Sequence, residues 1–444
     1  MTYFIMAYLV AVPLAYKFMV ELRPLQELSF HVMGCLLIFA GMCFENRRIK
    51  IDKFLISIAG FGAVMLFVFI HRGFGWDIFF NGFLGITIFF TLCRTLKKEN
   101  ISKVITCISW IAFGAIIYKL FQELGWDMRR QLVTKQEGLV PDCSFFGFKA
   151  VLGMYLACAV PLILGHSWTV VNRFVELNGS RLKRVGIVLL NILIAFLAVL
   201  TILILLVSVG VSYSTGAVAG AVVSVLFVLW FKKRVIFWCV LIPIIMGSVL
   251  FVTKLDNPMG MQKSRLVMWG KVIQDSFDEP LGHGLDSFRN PMTQIDEQKE
   301  VTRYFKHSFN DNTVRVAKTF IVTDVGVVDW RTIDTTSQDE QTEFKERNKD
   351  GQPTLDFWDN PHNEFVWTFY ELGYPGIIAL GIAIILFCRR FWRSTKDVYA
   401  VCSTGAILAF GIFSLTQFGV HLARIGHLLP VLGAIFFVST EDNG

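Results

Sequence analysis

The chain has 444 residues, of which 54% are apolar and only 17% are charged. Soluble globular proteins carry roughly 45–50% apolar and about 25% charged residues, and a soluble chain of this length cannot hide so much apolar surface. The composition excludes a soluble enzyme, a disordered scaffold and a nucleic-acid-binding protein, and the net charge of +7 is informative only through its distribution. We predict an all-α polytopic membrane protein embedded in a lipid bilayer.

Apolar runs long enough to cross a bilayer recur along the chain. A hydrocarbon core about 30 Å thick is spanned by a helix of about 20 apolar residues. About twelve transmembrane helices are predicted on this measure, and the first begins at an N-terminus that lacks the basic region of a signal peptide. Their approximate bounds are 3–20, 28–44, 53–71, 76–93, 101–121, 146–166, 185–208, 213–231, 235–253, 364–388, 399–419 and 423–439.

Lysine and arginine residues cluster in every second connection between these predicted helices, at 47–53, 94–103, 173–184, 232–234 and 389–396. By the positive-inside rule, these connections and both termini are cytoplasmic. Two longer connections, about 122–145 and about 254–363, then lie outside. The sequence thus predicts transmembrane helices 1–9 in residues 1–253, one large extracytoplasmic loop subdomain in 254–363, and helices 10–12 in 364–444.

Familiar catalytic motifs are absent from the sequence, which contains no P-loop, HExxH, GxSxG or DxD pattern. The nine cysteines form no CxxC pair or Cys/His cluster, so neither a disulfide framework nor a zinc site is predicted. The short segment 282–284 (Gly-His-Gly) indicates a turn rather than a phosphate-binding loop. Gly216 and Gly220 have the spacing of small residues at a helix-packing face.

The beginning of the large loop contains an amphipathic pattern. Apolar residues recur at helical spacing from Ser264, a possible N-cap, until Pro280 and Gly282 end the pattern; they are Leu266, Trp269, Val272 and Ile273. Arg265 lies in the first turn of this predicted helix. A surface helix with a snorkelling arginine is one interpretation, and a functional arginine is the other.

The end of the large loop leads directly into a membrane helix. Asp359 or Asn360 is predicted to cap that helix, with Pro361 at the first helical position and His362 in the first turn. The positive end of the helix favours a neutral imidazole, which can accept a proton near pH 7, and it attracts anions such as phosphate. The alternative is an interfacial histidine without a catalytic role.

A third group of polar residues lies beside the last predicted span. His421, Arg424 and His427 are spaced three residues apart, so His421 and Arg424 share a helix face. Ionisable residues at membrane depth are functional candidates, although an arginine at a helix end also snorkels toward water without such a role.

The order of these segments resembles the O-antigen ligase and polysaccharide polymerase superfamily of bacterial envelopes, whose GT-C-like fold carries one large outer loop. In that family an R…W…P-G-x-G…F block opens the loop and a His-Asn…E-L-G…G block closes it. The corresponding residues here are Arg265, Trp269, 280–284 and Phe288, then His362, Asn363, 371–373 and Gly376. Residues 145–161 resemble the family's sixth span, and 212–216 resemble its S-x-S-x-G turn without the usual arginine.

This resemblance implies a metal-independent, inverting glycosyltransferase that needs no cofactor and faces the periplasm from the bacterial inner membrane. The implied donor is a glycan on undecaprenyl pyrophosphate, and the acceptor is a sugar hydroxyl on lipid A core or another glycan. The implied catalytic residues are His362 and Arg265. The candidates for binding pyrophosphate or glycan are Arg265, Trp269, His283, Asn363, His421 and Arg424.

The chemistry of these residue types supports the same assignment. Displacement of pyrophosphate requires cations where charge develops on the leaving group, and the guanidinium of Arg265 is a rigid fork that binds phosphate oxygens in pairs. A hydroxyl nucleophile requires a base with a pKa near the working pH, and we expect His362 to act as that base. Glu364 and Asp359 are rival bases. Arginines that act directly on pyrophosphate also account for the missing DxD motif.

Several alternatives stay open at this point. The same superfamily includes polysaccharide polymerases and protein O-oligosaccharyltransferases. Some of the protein-modifying relatives have a C-terminal outer domain, and the chain's end at Gly444, soon after the last predicted span, argues against these. A transporter of lipid-linked oligosaccharides is the alternative outside the enzyme class. Transporters often contain internal repeats and broken helices near the bilayer midplane, and the sequence has no evident half-to-half repeat.

Overall fold

A computed structural model describes most of the helical part of the chain and parts of the large loop. The described residues are 1–14, 22–43, 49–72, 75–124, 149–177, 215–232, 234, 237–238, 241, 269–270, 272–274, 276–285, 287, 299–309, 312–323, 326–335, 363–415 and 426–441.

Ten α-helices and a three-stranded sheet make up the regular structure of these described residues. The helices are α1 (Thr2–Leu14), α2 (Leu22–Cys43), α3 (Lys53–Arg72), α4 (Trp76–Thr95), α5 (Ile101–Glu123), α6 (Lys149–Leu177), α7 (Thr215–Lys232), α8 (Glu364–Arg393), α9 (Val398–Ser414) and α10 (Leu428–Thr440). A 3₁₀ turn, Lys98–Asn100, precedes α5.

Each of the helices α1 to α10 overlaps a predicted membrane span. Five of them are long and apolar enough to cross a bilayer, and five more apolar helices are shorter. Large apolar side chains on the outside of the bundle, such as Phe39, Phe67 and Ile385, are exposed, which suits contact with lipid. The predicted spans at 185–208 and most of 235–253 lie outside the described residues, so the total of about twelve stays a prediction.

The centre of the bundle is formed by α6, α7 and α9. The membrane-length window of α6 is 78% buried, against 28–44% for the other four long helices. Small residues allow the close approach: a Cβ added at Gly220 in α7 would lie 2.7 Å from the carbonyl oxygen of Ala409 in α9. The predicted packing role of this glycine is confirmed.

Two faces of the bundle are distinguished by their contacts. At one face Arg390 contacts the side chains of Asp52 and Thr440, and Lys98 pairs with Asp397 at 2.8 Å. These residues lie in or next to the connections that contain the lysine and arginine clusters and that were predicted to be on one side of the membrane. We call this side of the bundle the basic face. The opposite face, formed by the end of α3, the starts of α4 and α8 and residues 269–287, is called the loop face.

The prediction of an all-α chain is correct for the helices α1 to α10 and wrong for residues 299–335 within the predicted loop subdomain. Strands β1 (Lys299–Phe309), β2 (Asn312–Thr323) and β3 (Gly326–Thr335) form an antiparallel sheet in the order β1-β2-β3. Phe309 pairs with Asn312, and Thr323 with Gly326, so both connections have two residues. Val, Thr, Phe and Tyr recur in these segments with the two-residue period that favours strands, which a 20-residue hydropathy window does not detect.

Candidate functional site

The site at the loop face begins with a break in α8. Gly373 has φ 60° and ψ −156°, which are not helical values, so α8 consists of residues 364–372 followed by a longer segment from 374. Pro375 lies in the first turn of that second segment, where its missing N–H is tolerated. We call residues 364–372 the half-helix.

A turn from the large loop supplies the hydrogen bonds that the break removes. In an uninterrupted helix the Tyr374 N–H would donate to the carbonyl oxygen of Tyr370. Here the Tyr374 N–H donates to Pro280 O at 3.0 Å, while Tyr370 O accepts from the His283 N–H at 2.9 Å. The Gly284 N–H donates to Glu371 O at 3.1 Å. Residues 280–284, which we call the PLGHG turn, therefore complete the broken helix.

This backbone contact requires glycine on both sides. Gly282 has φ 79° and Gly373 has φ 60°, in the left-handed region that other residues rarely adopt. A Cβ at Gly282 would overlap the Glu371 carbonyl, and a Cβ at Gly373 would overlap the Pro280 carbonyl. The prediction of a turn at 282–284 is confirmed, and the two motif blocks at the ends of the loop lie in direct backbone contact.

Aromatic and apolar side chains extend the contact between the loop and the half-helix. The His283 ring stacks on the Tyr370 ring with centroids 4.1 Å apart and planes 20° apart. Trp269 and Val272 pack in one apolar cluster with Val366 and Trp367. The predicted amphipathic helix is confirmed over its described part, because helical residues occur between 269 and 278 and end before Pro280; we call them the loop helix.

The loop helix and the half-helix run in the same direction. Trp269 and Val272 belong to the cluster that contains Val366 and Trp367. Farther along both elements, the Phe277 ring lies 5.8 Å from the Phe369 ring and 6.3 Å from the Tyr374 ring. The described part of the loop helix therefore follows the same direction as the half-helix across the contact.

Two carboxylates of the half-helix are buried. Glu364 is 6% exposed and Glu371 is 2% exposed. The indole Nε1–H of the fully buried Trp367 donates to Oε1 of Glu371, one helical turn away. Because a carboxylate is costly to remove from water unless it is hydrogen-bonded or paired, the Trp367 indole stabilises the buried Glu371 side chain.

The N-terminus of the half-helix differs from the sequence-based expectation. The N-cap is Asn363, whose side-chain oxygen accepts from the N–H groups of Phe365 at 2.9 Å and Val366 at 3.1 Å. The predicted cap at Asp359 or Asn360, with His362 inside the first turn, is therefore wrong. Asparagine is as good a cap as aspartate, and it lies immediately before the apolar run, whereas the prediction relied on Pro361.

Asn363 thus has a structural role that its substitution can measure. We expect Asn363→Ala to lower the free energy of unfolding by about 1 kcal/mol, because two N–H groups lose their acceptor. Asn363→Asp keeps an acceptor and should keep the stability. Thermal unfolding in detergent measures both variants. Turnover of Asn363→Asp tests the predicted contact of the Asn363 side chain with substrate, and an unchanged unfolding temperature for Asn363→Ala would contradict the capping role.

The structure brings together three of the predicted site residues. Trp269, His283 and Asn363 all lie on or against the half-helix. Arg265, His362, His421 and Arg424 lie outside the described residues, so their roles stay predictions. His427, the third member of the last group, is fully buried beside Tyr8, whose hydroxyl donates to its carbonyl oxygen at 3.2 Å.

An ion pair at the loop face was not anticipated from the sequence. The Nη2 atom of Arg72, the last residue of α3, lies 2.6 Å from Oε2 of Glu279. Glu279 immediately precedes the PLGHG turn. The sequence did contain one signal for this pair. Arg72 lies at the outer end of α3, and the connection that follows is otherwise poor in basic residues.

Other candidate sites are separate from this contact. Within the described part of the chain, no three His, Cys, Asp or Glu residues form a group that could hold a metal ion. A small apolar cavity lined in part by Gly165, Trp168, Lys232 and Cys402 lies near the basic face, where the Lys232 ammonium donates to the carbonyl oxygens of Thr395 and Lys396.

The apolar helices, together with the contact between the PLGHG turn and the half-helix, define a multi-pass membrane protein with its candidate site at one end of the bundle. Residues 200–381 match the family model described as O-Antigen ligase, a segment that covers less than half of the chain but contains both motif blocks. This match confirms the resemblance to the O-antigen ligase superfamily and indicates a ligase- or polymerase-type membrane enzyme of polysaccharide biosynthesis. A comparison with curated proteins found no match.

Proposed function

We propose that the chain is an O-antigen ligase-like glycosyltransferase of the bacterial inner membrane. It transfers a glycan from undecaprenyl pyrophosphate to a sugar hydroxyl of an acceptor such as lipid A core, without a metal ion and with inversion at the anomeric carbon. The loop face is periplasmic, and both termini are cytoplasmic. The outer loop subdomain 254–363 and the flanking helices together form the site.

The parallel packing of the loop helix against the half-helix is the observation that carries this proposal. Trp269 and Val272 share a cluster with Val366, Trp367 and Tyr370, and Phe277, farther along the loop helix, lies beside Phe369 and Tyr374. Arg265 is one helical turn before Trp269 in the sequence, and His362 is the residue before the cap Asn363. The two proposed catalytic residues thus precede, in the sequence, two segments that pack against each other, which supports their convergence on one headgroup.

The proposed reaction is a single displacement at the anomeric carbon. The acceptor hydroxyl oxygen forms a bond to that carbon while the bond to the pyrophosphate oxygen breaks and its electron pair leaves with pyrophosphate. His362 accepts the hydroxyl proton. The Arg265 guanidinium stabilises the charge that develops on the leaving group, with two donors directed at phosphate oxygens. Trp269, His283, Asn363, His421 and Arg424 are proposed to bind the pyrophosphate or the glycan.

Substitution of His362 tests the proposed base. We expect His362→Ala to lower turnover on the order of 10²–10⁴-fold, because general-base catalysis contributes about that much, while donor affinity changes little. Kinetics with purified protein and binding of lipid-linked donor measure the two effects separately. His71→Ala, which removes an exposed imidazole that stacks on Phe67 at the end of α3, is the matched control and should keep its turnover.

The outcome separates the possible roles of this histidine. Equal losses of turnover and of donor affinity would instead indicate that His362 positions the donor. Full activity of His362→Ala together with inactivity of Glu364→Gln or Asp359→Asn would assign the base to one of the rival carboxylates.

Reconstitution tests the reaction itself. Proteoliposomes with the loop face outward receive lipid-linked glycan on the outside only, and the release of undecaprenyl pyrophosphate is measured there. Release with one transfer to lipid A core supports a ligase, whereas growing glycan chains without core identify a polymerase and transfer to protein identifies an oligosaccharyltransferase. Movement of intact donor across the bilayer without release would identify a transporter and overturn the proposal.

A further inference from the structure

An ion pair outside the proposed catalytic groups joins the end of α3 to the large loop. The Arg72–Glu279 pair measures 2.6 Å and connects residues 207 positions apart in the chain. Its side chains are 30% and 42% exposed. An ion pair with this exposure adds little to the free energy of folding, because water and salt screen it. The expected effect of this ion pair is therefore on the geometry of the loop face.

The pair holds one end of a continuous series of contacts that reaches the half-helix. The Glu279 carbonyl oxygen accepts from the Gly282 N–H at 2.8 Å, which closes the PLGHG turn. The turn is bonded to the half-helix through His283 and Gly284. The series of contacts therefore links Glu279 to the C-terminal end of the half-helix, at Tyr370 and Glu371.

A second contact attaches the chain just after the PLGHG turn to the connection between α3 and α4. Gly75, between these two helices, has φ 72°, and a Cβ there would overlap the Leu285 carbonyl. Leu285 and Leu372 pack in one apolar cluster with Met65 and Val68 of α3. The PLGHG turn is thus fixed on one side by the ion pair and on the other by the glycine contact.

We propose that Arg72 and Glu279 are positioning residues for the glycosyl transfer, which hold the PLGHG turn against α3 and thereby set the location of the half-helix. This inference rests on the proposed function for its effect on turnover. Its structural part, the placement of the half-helix, does not depend on the identity of the substrate. The two residues act through the turn and not by contact with the donor.

The test uses Arg72→Gln, Glu279→Gln and the reversed pair Arg72→Glu/Glu279→Arg in the full-length protein in proteoliposomes. We expect each single variant to lower kcat on the order of tenfold to a hundredfold, the size of effect that a 1 Å misplacement produces, with KM for the donor little changed. The reversed pair should recover most of the lost kcat. Lys98→Gln is the matched control, because it removes a 2.8 Å pair of similar exposure at the basic face, and it should keep its kcat.

Hydrogen exchange of the backbone amides in 364–372 provides a readout without substrate. We expect faster exchange in both single variants, near-native exchange in the reversed pair and no change in Lys98→Gln. Single variants with normal kcat and normal exchange would overturn the proposal. Loss of activity in Arg72→Gln alone, with Glu279→Gln fully active, would show that Arg72 contacts substrate, and it would also overturn the positioning role.

The same design separates the two hypotheses. A wild-type protein that releases no undecaprenyl pyrophosphate contradicts the proposed function, and the exchange data then decide the placement of the half-helix by themselves. A wild-type protein that is active, with unaffected single variants, contradicts the positioning role alone.

Discussion

Replacement of Arg265 by alanine is expected to abolish glycan transfer while the protein still inserts and folds. The guanidinium is proposed to stabilise charge that develops on pyrophosphate, and removal of one such group from an active site costs on the order of 10²–10³-fold in turnover. Release of undecaprenyl pyrophosphate from purified protein measures the loss. Thermal unfolding of the same sample shows whether the fold is intact.

The Arg265→Lys variant tests whether the site requires the paired hydrogen-bond donors of a guanidinium or only a positive charge. Arg265→Lys should recover little activity, because an ammonium is a point charge and cannot donate two parallel hydrogen bonds to phosphate oxygens. Arg393→Ala is the matched control, since Arg393 is an exposed arginine at the basic face, and it should keep normal turnover. Near-normal activity of either Arg265 variant would contradict the pyrophosphate role.

Alanine at Gly282 or Gly373 is expected to have the largest structural effect. Both glycines have left-handed φ values, 79° and 60°, and a Cβ at either position would overlap a carbonyl of the partner segment. A strained backbone of this kind costs on the order of 1–3 kcal/mol, and separation of the PLGHG turn from the half-helix relieves it. We therefore expect a lower unfolding temperature and a loss of turnover of at least about a hundredfold.

Gly381 provides the control for these substitutions. It lies in the second segment of α8, and a Cβ there would meet nothing within 4 Å. Because alanine is favoured over glycine in a helix by roughly 1 kcal/mol, Gly381→Ala should be as stable as the wild type or more stable, with normal turnover. Equal behaviour of Gly381→Ala and Gly373→Ala would contradict the backbone contact that defines the site.

The Gly282 and Gly373 substitutions also test whether the two motif blocks act as one unit. If each glycine stabilises only its own segment, the two decreases in unfolding temperature should add in the double variant. If both glycines belong to one contact, the double variant should unfold at nearly the same temperature as either single variant. The measurement is the unfolding temperature of both single variants and of the double variant.

The membrane helices and their arrangement into two faces were predictable from the sequence. Long apolar runs and the alternation of basic connections determine where helices form and which connections lie together, and the contacts of Arg390 with Asp52 and of Lys98 with Asp397 follow that grouping. The amphipathic loop helix was equally predictable, because residues 269, 272 and 273 repeat with the period of a helix.

The break in α8 and the true cap were less accessible to sequence reasoning, although local signals existed. Gly373 followed by Pro375 has the composition of a helix end and a new helix start, but hydropathy continues across it. Asn363 and Asp359 are both good caps, and only the hydrogen bonds to Phe365 and Val366 decide between them. The sheet at 299–335 was missed because its apolar residues alternate with polar ones, a pattern that a 20-residue hydropathy window averages out.

The amino-acid sequence by itself determined that this is a membrane protein, where its described apolar helices form and which motifs border the large loop, because each of these depends on short-range composition and periodicity. Only the tertiary structure decided that the PLGHG turn closes the break at Gly373 and that Arg72 pairs with Glu279. These contacts join backbone groups and charges that are far apart in the chain, and their partners are selected by the folded geometry and not by any local pattern.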